Sequence, residues 1–227
     1  MSAIARTGRV GLRHVGRIPG TSNRPSFFPA FGKPNTTLVR AAEATEGVGD
    51  AAAGTSNSTP DVSKLDVRVG TILSAEEHPE ADSLYVEQID LGEEEGPRTI
   101  ISGLKKYVTL DEIIGKKVLV LANLKARNMH RIKSHGMLHC ASNADHTEVE
   151  PLAAPAEAVN GERVYFGDDQ EQGEAANGNQ LQKKKFWEAC QPLLKTDAEG
   201  VANFDGAVMN TSAGVVKAHK LSNATIS

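Results

Sequence analysis

The chain has 227 residues, enough for one or two domains, and carries 25 Lys and Arg against 29 Asp and Glu, a formal charge of −4. No apolar run approaches the roughly 20 residues that a membrane-spanning helix needs, so the sequence predicts no membrane segment. Cys140 and Cys190 stand among apolar or small residues without a CxxC pattern. This predicts two reduced, buried thiols and argues against a disulfide framework or a zinc ribbon.

The net charge averages over blocks of opposite sign. Residues 1–42 hold seven Lys or Arg and no acid, and residues 76–95 hold nine acids and no Lys or Arg. Residues 98–139 hold nine Lys or Arg against two acids, and residues 145–174 hold nine acids and one Arg. A partner would therefore meet a strongly patterned electrostatic field, which the whole-chain charge conceals.

The first 42 residues have the composition of an organelle transit peptide, rich in Arg, Gly, Ser and Pro. Four arginines spaced by three and four residues share one helical face, which is typical of mitochondrial leaders. Residues 39–42 instead resemble a plastid processing site. We predict a chloroplast protein, with mitochondrial or dual targeting as the alternative and a cytosolic tail left open. Residues 43–63 lack aromatic side chains and predict a disordered, flexible linker.

Folded structure is predicted from about Lys64. Residues 65–72 alternate with period two, as a half-buried strand does, and His78-Pro79 interrupts the pattern. Residues 84–91 predict a second strand, in which a one-residue slip of the alternation indicates a bulge. Residues 98–102 predict a third strand.

A short helix is predicted at residues 110–114, with Thr109 or Asp111 near its start. Residues 116–123 and 136–141 predict the fourth and fifth strands. Five short strands in about eighty residues, with a helical insert after the third, are typical of a small Greek-key barrel of the OB type. We therefore predict a mainly β chain with a five-stranded OB-fold barrel at residues 64–165.

The last quarter of the chain, residues 166–227, is predicted to be a small α+β extension. A strand at residues 163–166 leads into it, a helix is expected at 179–194, and two or three short strands follow from residue 201. Some sixty residues are few for an independent core, so we expect the extension to pack on the barrel. Phe186 and Trp187 are the predicted anchors.

The fourth and fifth strands flank a basic loop that contains no acid. Cations on a scaffolded loop suit a polyanion, since Lys and Arg release counterions from phosphates. Asn123 and Ser134 have two open roles, bonding a ribose or holding the loop. The candidate nucleic-acid-binding residues in and near this loop are Lys105, Lys106, Asn123, Lys125, Arg127, Met129, His130, Arg131, Lys133 and Ser134.

Several stretches together resemble one family. They are LDVRVG at 65–70, HPEADSLY at 78–85, RTIISGL at 98–104, NLK at 123–125, Met129, SHGM at 134–137 and KKKFW at 183–187. The chain is similar to the tRNA-binding domain of endothelial monocyte-activating polypeptide II, which is also appended to some methionyl- and tyrosyl-tRNA synthetases.

The resemblance implies an OB barrel that binds tRNA with weak sequence specificity, and an aminoacyl-tRNA synthetase as a partner in trans. It also implies that the extension mimics the dimer interface of smaller relatives, so that the chain acts as a monomer. The sequence departs from its relatives at residues 128–131, which read NMHR instead of KMRG. One lysine is lost and a loop glycine becomes Arg131, which puts inherited affinity in doubt.

Other kinds of site find little support. His130, His135 and His139 with Cys140 lack a further carboxylate or thiol, so we predict no metal and no cofactor. No catalytic constellation appears, which predicts a binding module and not an enzyme.

The alternative functions are an OB-fold chaperone for proteins and a general binder of single-stranded nucleic acid. Tyr107 is the one aromatic residue of the basic region, so shape recognition is favoured over base stacking. Lys183–Lys185 indicates equally a solvated helix face or an accessory contact.

Overall fold

The computed structural model describes residues 59–168, 170 and 172–227. The predicted transit peptide and most of the predicted linker lie outside these ranges, so both stay predictions. The described part is mainly β, as predicted, with three short α-helices. None of its helices is long and apolar enough to cross a membrane.

Short strands make up most of the regular structure. In chain order they are β1 (Val67–Glu77), β2 (Tyr85–Asp90), β3 (Arg98–Ser102), β4 (Lys117–Leu121), β5 (Arg127–Met129), β6 (Ile132–Ser134), β7 (Met137–Leu138), β8 (Cys140–Ser142), β9 (Val149–Pro151), β10 (Tyr165–Phe166), β11 (Leu194–Thr196), β12 (Ala202–Phe204), β13 (Ala207–Thr211), β14 (Gly214–Val215) and β15 (Thr225–Ile226).

The predicted five-stranded barrel is confirmed. Its strands follow the order β3-β2-β1-β4-β7 and are antiparallel throughout. The two end strands approach each other at the segment before β7. There the His135 amide donates to the Thr99 carbonyl at 2.9 Å, and the Ser134 hydroxyl accepts from the Ile101 amide at 3.1 Å. These contacts nearly close the barrel.

Glu87 is an acidic residue in the barrel interior. It occupies the inward position between Tyr85 and Ile89 on β2 and is fully buried. The predicted bulge in this strand is therefore wrong: β2 keeps its period of two, and a glutamate stands where an apolar residue was expected. The irregular register lies in β1, between Ile72 and Ser74.

The predicted fifth strand divides in two. β7 pairs with β4 in the barrel, whereas β8 pairs with β9 and β15 in a second sheet. His139 separates the two strands. The second sheet has the order β10-β13-β12-β11-β15-β8-β9, with β14 beside β13. The chain therefore passes directly from the barrel into the sheet that contains the extension.

The extension shares a hydrophobic core with the barrel, as predicted. One buried cluster joins barrel side chains such as Leu65 and Leu119 to extension side chains such as Leu181 and Met209. Phe186 and Trp187 pack at its edge and are half-buried. A second cluster fills the barrel and includes Ile72, Ile100 and Val120. Both cysteines are buried and free, as predicted. The domain boundary at 165/166 remains a prediction.

The helices are α1 (Leu110–Ile113), α2 (Gly178–Lys183) and α3 (Phe186–Cys190), the last followed by a 3₁₀ turn at Gln191–Leu193. Thr109 caps α1 in a capping box with Glu112, as the sequence allowed. The single helix predicted at residues 179–194 is wrong. Lys185 takes a left-handed backbone conformation, with φ of 53°, and breaks the segment into two helices.

We expect Glu87→Gln to stabilise the protein at high pH. Burial raises the pKa of Glu87 to about 7 from an ordinary 4.5, while the Ser102 hydroxyl, 2.6 Å from Oε1, opposes the rise. Because the folded-state pKa is the higher one, the wild-type carboxyl favours folding most below pH 4.5. That contribution is lost as pH rises through 7. At about 1.4 kcal/mol per pKa unit, the variant gains about 3 kcal/mol over wild type at pH 8.

Denaturant unfolding of both proteins at pH 5 and pH 8 measures this difference. We expect the stability gap to widen with pH. A gap that stays constant across this range would show that Glu87 does not hold a proton in the folded barrel.

Candidate nucleic-acid interface

The basic segment predicted as a loop is an ordered β-hairpin. β5 and β6 pair in the register Arg127 with Ser134, Asn128 with Lys133 and Met129 with Ile132. His130 and Arg131 form the two-residue turn, and their φ angles of 44° and 70° are both left-handed. A two-residue turn with both φ positive is the type I′ turn that matches the twist of paired strands. Arg131 thus occupies a conformation that favours glycine.

Cross-strand pairing decides which side of the hairpin each cation occupies. Paired residues share a face, so Arg127 lies on the face of the buried Ser134, whereas Lys133 lies with Asn128 on the other. Arg127 and Lys133 are both exposed, as is Lys125 just before the hairpin. The hairpin therefore presents cations on both faces instead of along one stripe.

The turn between β1 and β2 clamps the tip of the hairpin. His78 is buried, and its Nδ1 accepts from the Glu80 amide at 3.1 Å. Its Nε2 therefore carries the proton and donates to the Met129 carbonyl at 3.3 Å. The His130 ring lies edge-on to His78, with centroids 5.7 Å apart. Met129 is half-buried and His130 is exposed at the tip.

Two of the predicted phosphate-binding cations are paired with acids from β1 and the turn that follows it. Arg131 contacts Glu80 at 2.9 Å, and Lys105 contacts Glu77 at 2.8 Å. The hydrogen bond to Glu77 raises the pKa of the Lys105 ammonium group. The cations that are exposed and form no ion pair among the described residues of the site are Lys106, Lys125, Arg127 and Lys133.

Asn123 and Ser134 hold the site in place. The Asn123 amide group donates to the Lys64 and Ala176 carbonyls at 2.9 and 2.8 Å, and its oxygen accepts from the Asp66 amide at 3.1 Å. Ser134 accepts from β3 and donates to the Gly136 carbonyl at 3.0 Å. Of their two predicted roles, this geometry supports holding the loop.

Arg98 also supports the site, and sequence reasoning did not single it out. Its guanidinium group forms two 2.6 Å bonds to Glu93 and donates to the Ala122 and His135 carbonyls at 2.7 and 2.9 Å. It thereby links the end of β4 to the segment that closes the barrel. His78 and Glu80 were likewise missed, because the sequence showed His78-Pro79 only as a strand breaker.

The three histidines considered for a metal do not converge. His130 lies at the hairpin tip and His135 is exposed, whereas His139 is fully buried beside Trp187, with ring centroids 5.3 Å apart. Burial lowers the pKa of His139 to about 4. Among the described residues no group of three or more His, Cys, Asp or Glu is placed to hold a metal ion.

Comparisons with known proteins agree on one family. A family model described as a putative tRNA binding domain matches residues 67–163. A probable methionine–tRNA ligase of Oryza sativa subsp. japonica is 47% identical over 165 residues, which cover 73% of this chain and 20% of the ligase. The mouse aminoacyl tRNA synthase complex-interacting multifunctional protein 1 is 42% identical over 177 residues, covering 78% of this chain and 55% of that protein.

The chain thus spans between a fifth and a little over half of the length of these two curated relatives. A solved structure shares nearly its whole length with this chain. The C-terminal domain of Plasmodium vivax p43 is 34% identical with a TM-score of 0.68, and the match covers 74% of this chain and 99% of that one. Fold and sequence agree over barrel and extension together, and the chain belongs to the tRNA-binding domain family that its sequence resembles.

Proposed function

We propose that this protein binds tRNA through backbone phosphates, recognises the shape of the RNA with weak sequence specificity, and acts as a non-catalytic partner of an aminoacyl-tRNA synthetase. Its membership of the tRNA-binding domain family supports the first part. Relatives named as methionine–tRNA ligases and as a synthase complex-interacting protein support the second.

The observation that carries the proposal is a set of exposed cations on a rigid support. Lys125, Arg127 and Lys133 are exposed on a hairpin whose root is fixed by Asn123 and whose tip is fixed by His78. A cation held in place loses little conformational freedom when it meets a phosphate. Such contacts position a nucleic acid without reading its bases.

The aromatic content of the surface favours shape recognition. Tyr107 is half-buried, and its hydroxyl donates to the His146 carbonyl at 3.0 Å, so the ring is held against the protein. Stacking of successive bases needs exposed aromatic platforms. A folded RNA that presents many phosphates therefore suits this surface better than a single strand.

The remaining parts of the proposal concern the oligomeric state, membrane contact and subcellular location of the protein. We propose a monomer, because β15 of the extension already pairs with β8, so that edge of β8 is not free to pair with a second copy. We also propose that the protein does not engage membranes. We propose import into the chloroplast, with the mitochondrion as the alternative, because of the composition of residues 1–42.

We expect binding of tRNA to the full chain to weaken steeply with salt. Four to six phosphate contacts predict a slope of about −3 to −5 in a plot of log affinity against log salt concentration. Filter binding or fluorescence anisotropy at several salt concentrations measures the slope. Single-stranded DNA and an unfolded peptide serve as competing ligands, and stronger binding of either one would favour the alternative functions.

Replacing the hairpin cations should reduce binding without unfolding the protein. For the triple variant Lys125→Gln, Arg127→Gln and Lys133→Gln we expect a slope shallower by about 2, since each lost phosphate contact removes about 0.7 to 0.9 from it. The matched control replaces the exposed Lys195, Lys217 and Lys220 of the extension by Gln. Equal affinity of the hairpin variant and the control would place the site elsewhere.

We expect Glu80→Gln to tighten tRNA binding. The substitution removes the carboxylate that pairs with Arg131 and frees that cation for a phosphate. Exposed ion pairs are worth about 0.2 to 1 kcal/mol, so the gain should be about 1.4-fold to fivefold at low salt. Glu94→Gln is the control, because Glu94 is exposed and pairs with no described residue. A gain of the same size in both variants would mean that net charge alone matters.

Fusion of residues 1–45 to a fluorescent reporter tests the location. We expect chloroplast fluorescence, and its loss when Arg6, Arg9, Arg13 and Arg17 are replaced by Gln. Diffuse cytosolic fluorescence of the unmodified fusion would refute organelle import.

A further inference from the structure

Three consecutive lysines form a corner between two helices of the extension. Lys183 ends α2, Lys184 caps it, and Lys185 precedes α3. All three are exposed, and none forms an ion pair with a described residue. Because Lys185 breaks the helix, the three side chains do not follow one helical circumference.

The corner is anchored on the shared core. Leu181 just before it is buried, and Phe186 and Trp187 just after it pack against the same cluster. Trp187 contacts the buried His139, and the Lys184 ammonium group lies 5.8 Å from the centroid of the Phe186 ring. A lysine run on a solvated face needs no such fixation.

The corner is continuous with the root of the hairpin. Asn123 bonds the Ala176 carbonyl just before α2, and Gly178 at the start of α2 packs against the hairpin root. A Cβ atom at Gly178 would lie 3.2 Å from the backbone carbonyl oxygen of Asn123 and 3.3 Å from the backbone nitrogen of Lys125. α2 has six residues and rises about 9 Å, so the corner is one short helix away from Lys125.

Few acids lie near the corner along the chain. Glu188, one turn into α3, is the acid closest to it in sequence, and it forms no ion pair with a described residue. The hairpin and the corner are therefore two cationic segments, each with few acids near it along the chain. Phosphodiester oxygens are the ligand class that clustered ammonium groups recognise.

We propose that the Lys183–Lys185 corner is a second phosphate-binding site for the same RNA that the hairpin binds. This rests on the proposed function, and it assigns the extension a direct part in RNA contact beyond covering the barrel. The RNA backbone then crosses the Asn123 junction from the hairpin to the corner.

The experiment compares the full chain with two triple variants of equal charge change. One replaces Lys183, Lys184 and Lys185 by Gln, and the other replaces Lys195, Lys217 and Lys220 by Gln. A third protein carries Lys183→Arg, Lys184→Arg and Lys185→Arg. tRNA affinity is measured over a range of salt concentrations, and thermal unfolding of each protein is recorded alongside.

We expect the corner Gln variant to show a salt slope shallower by about 2 and an affinity about tenfold lower. The Arg variant and the other Gln variant should bind like wild type. If the wild type binds tRNA but the two Gln variants have equal slopes, the second site is refuted and the proposed function stands. If the wild type itself fails to bind, the proposed function falls and the second site with it.

Loss of cooperative unfolding in the corner Gln variant would shift the test to the single changes Lys183→Gln and Lys184→Gln. Each should make the slope shallower by about 0.7 to 0.9. An unchanged slope in both would equally refute the second site.

Discussion

The Asn123 side chain joins the end of the barrel strand β4 to the entry of β1 and to the segment before α2. Its amide uses both donors and its oxygen to bond backbone groups at the entry to β1 and before α2, while its own backbone lies two residues beyond the end of β4. A side chain that satisfies three partly buried backbone groups is costly to replace, because each group would lose its partner. The hairpin follows Asn123 in the chain, and α2, which ends at the Lys183–Lys185 corner, starts beside it. The Asn123 amide group therefore helps to set the distance between the hairpin and the corner.

The charge of the surface depends on which charged side chains already form ion pairs or hydrogen bonds within the protein. Arg68 and Arg98 both form ion pairs with Glu93, and Arg163 donates to the Ser63 and Leu65 carbonyls. These arginines therefore hold the fold together. Acids of the turn after β1 meanwhile cover part of the basic surface. An incoming phosphate exchanges with a carboxylate at those positions, and that exchange costs little because exposed ion pairs are weak.

Local patterns predicted the barrel well and its exceptions poorly. β1 and the start of α1 follow from alternation and from the capping residue Thr109, both of which are short-range signals. The glutamate inside the barrel could not be foreseen, because a buried acid imitates a slip of the hydrophobic period. The hairpin was missed because its turn lacks glycine, although the departure at Arg131 pointed to an unusual backbone angle.

The extension and the supporting residues of the site were harder still to predict. Strands of two or three residues carry almost no periodicity, and their pairing depends on distant partners. The roles of Asn123, Ser134 and Arg98 are tertiary hydrogen bonds that no spacing in the sequence encodes. The basic composition of the segment predicts exposed cations, and Lys125, Arg127 and Lys133 are exposed. The ion pairs of Arg131 and Lys105 with acids could be identified only from the folded structure.

The position of β15 has a consequence for how the protein acquires its structure. This two-residue strand lies between β11 and β8, and it is the strand through which the β8–β9 pair joins the rest of the second sheet. Its contacts with β8 close a loop of more than eighty residues, the kind of distant pairing that slows folding. The β8–β9 pair and the extension strands can each form early as local hairpins. They become one sheet only when residues 225–226 have left the ribosome and filled the gap between them.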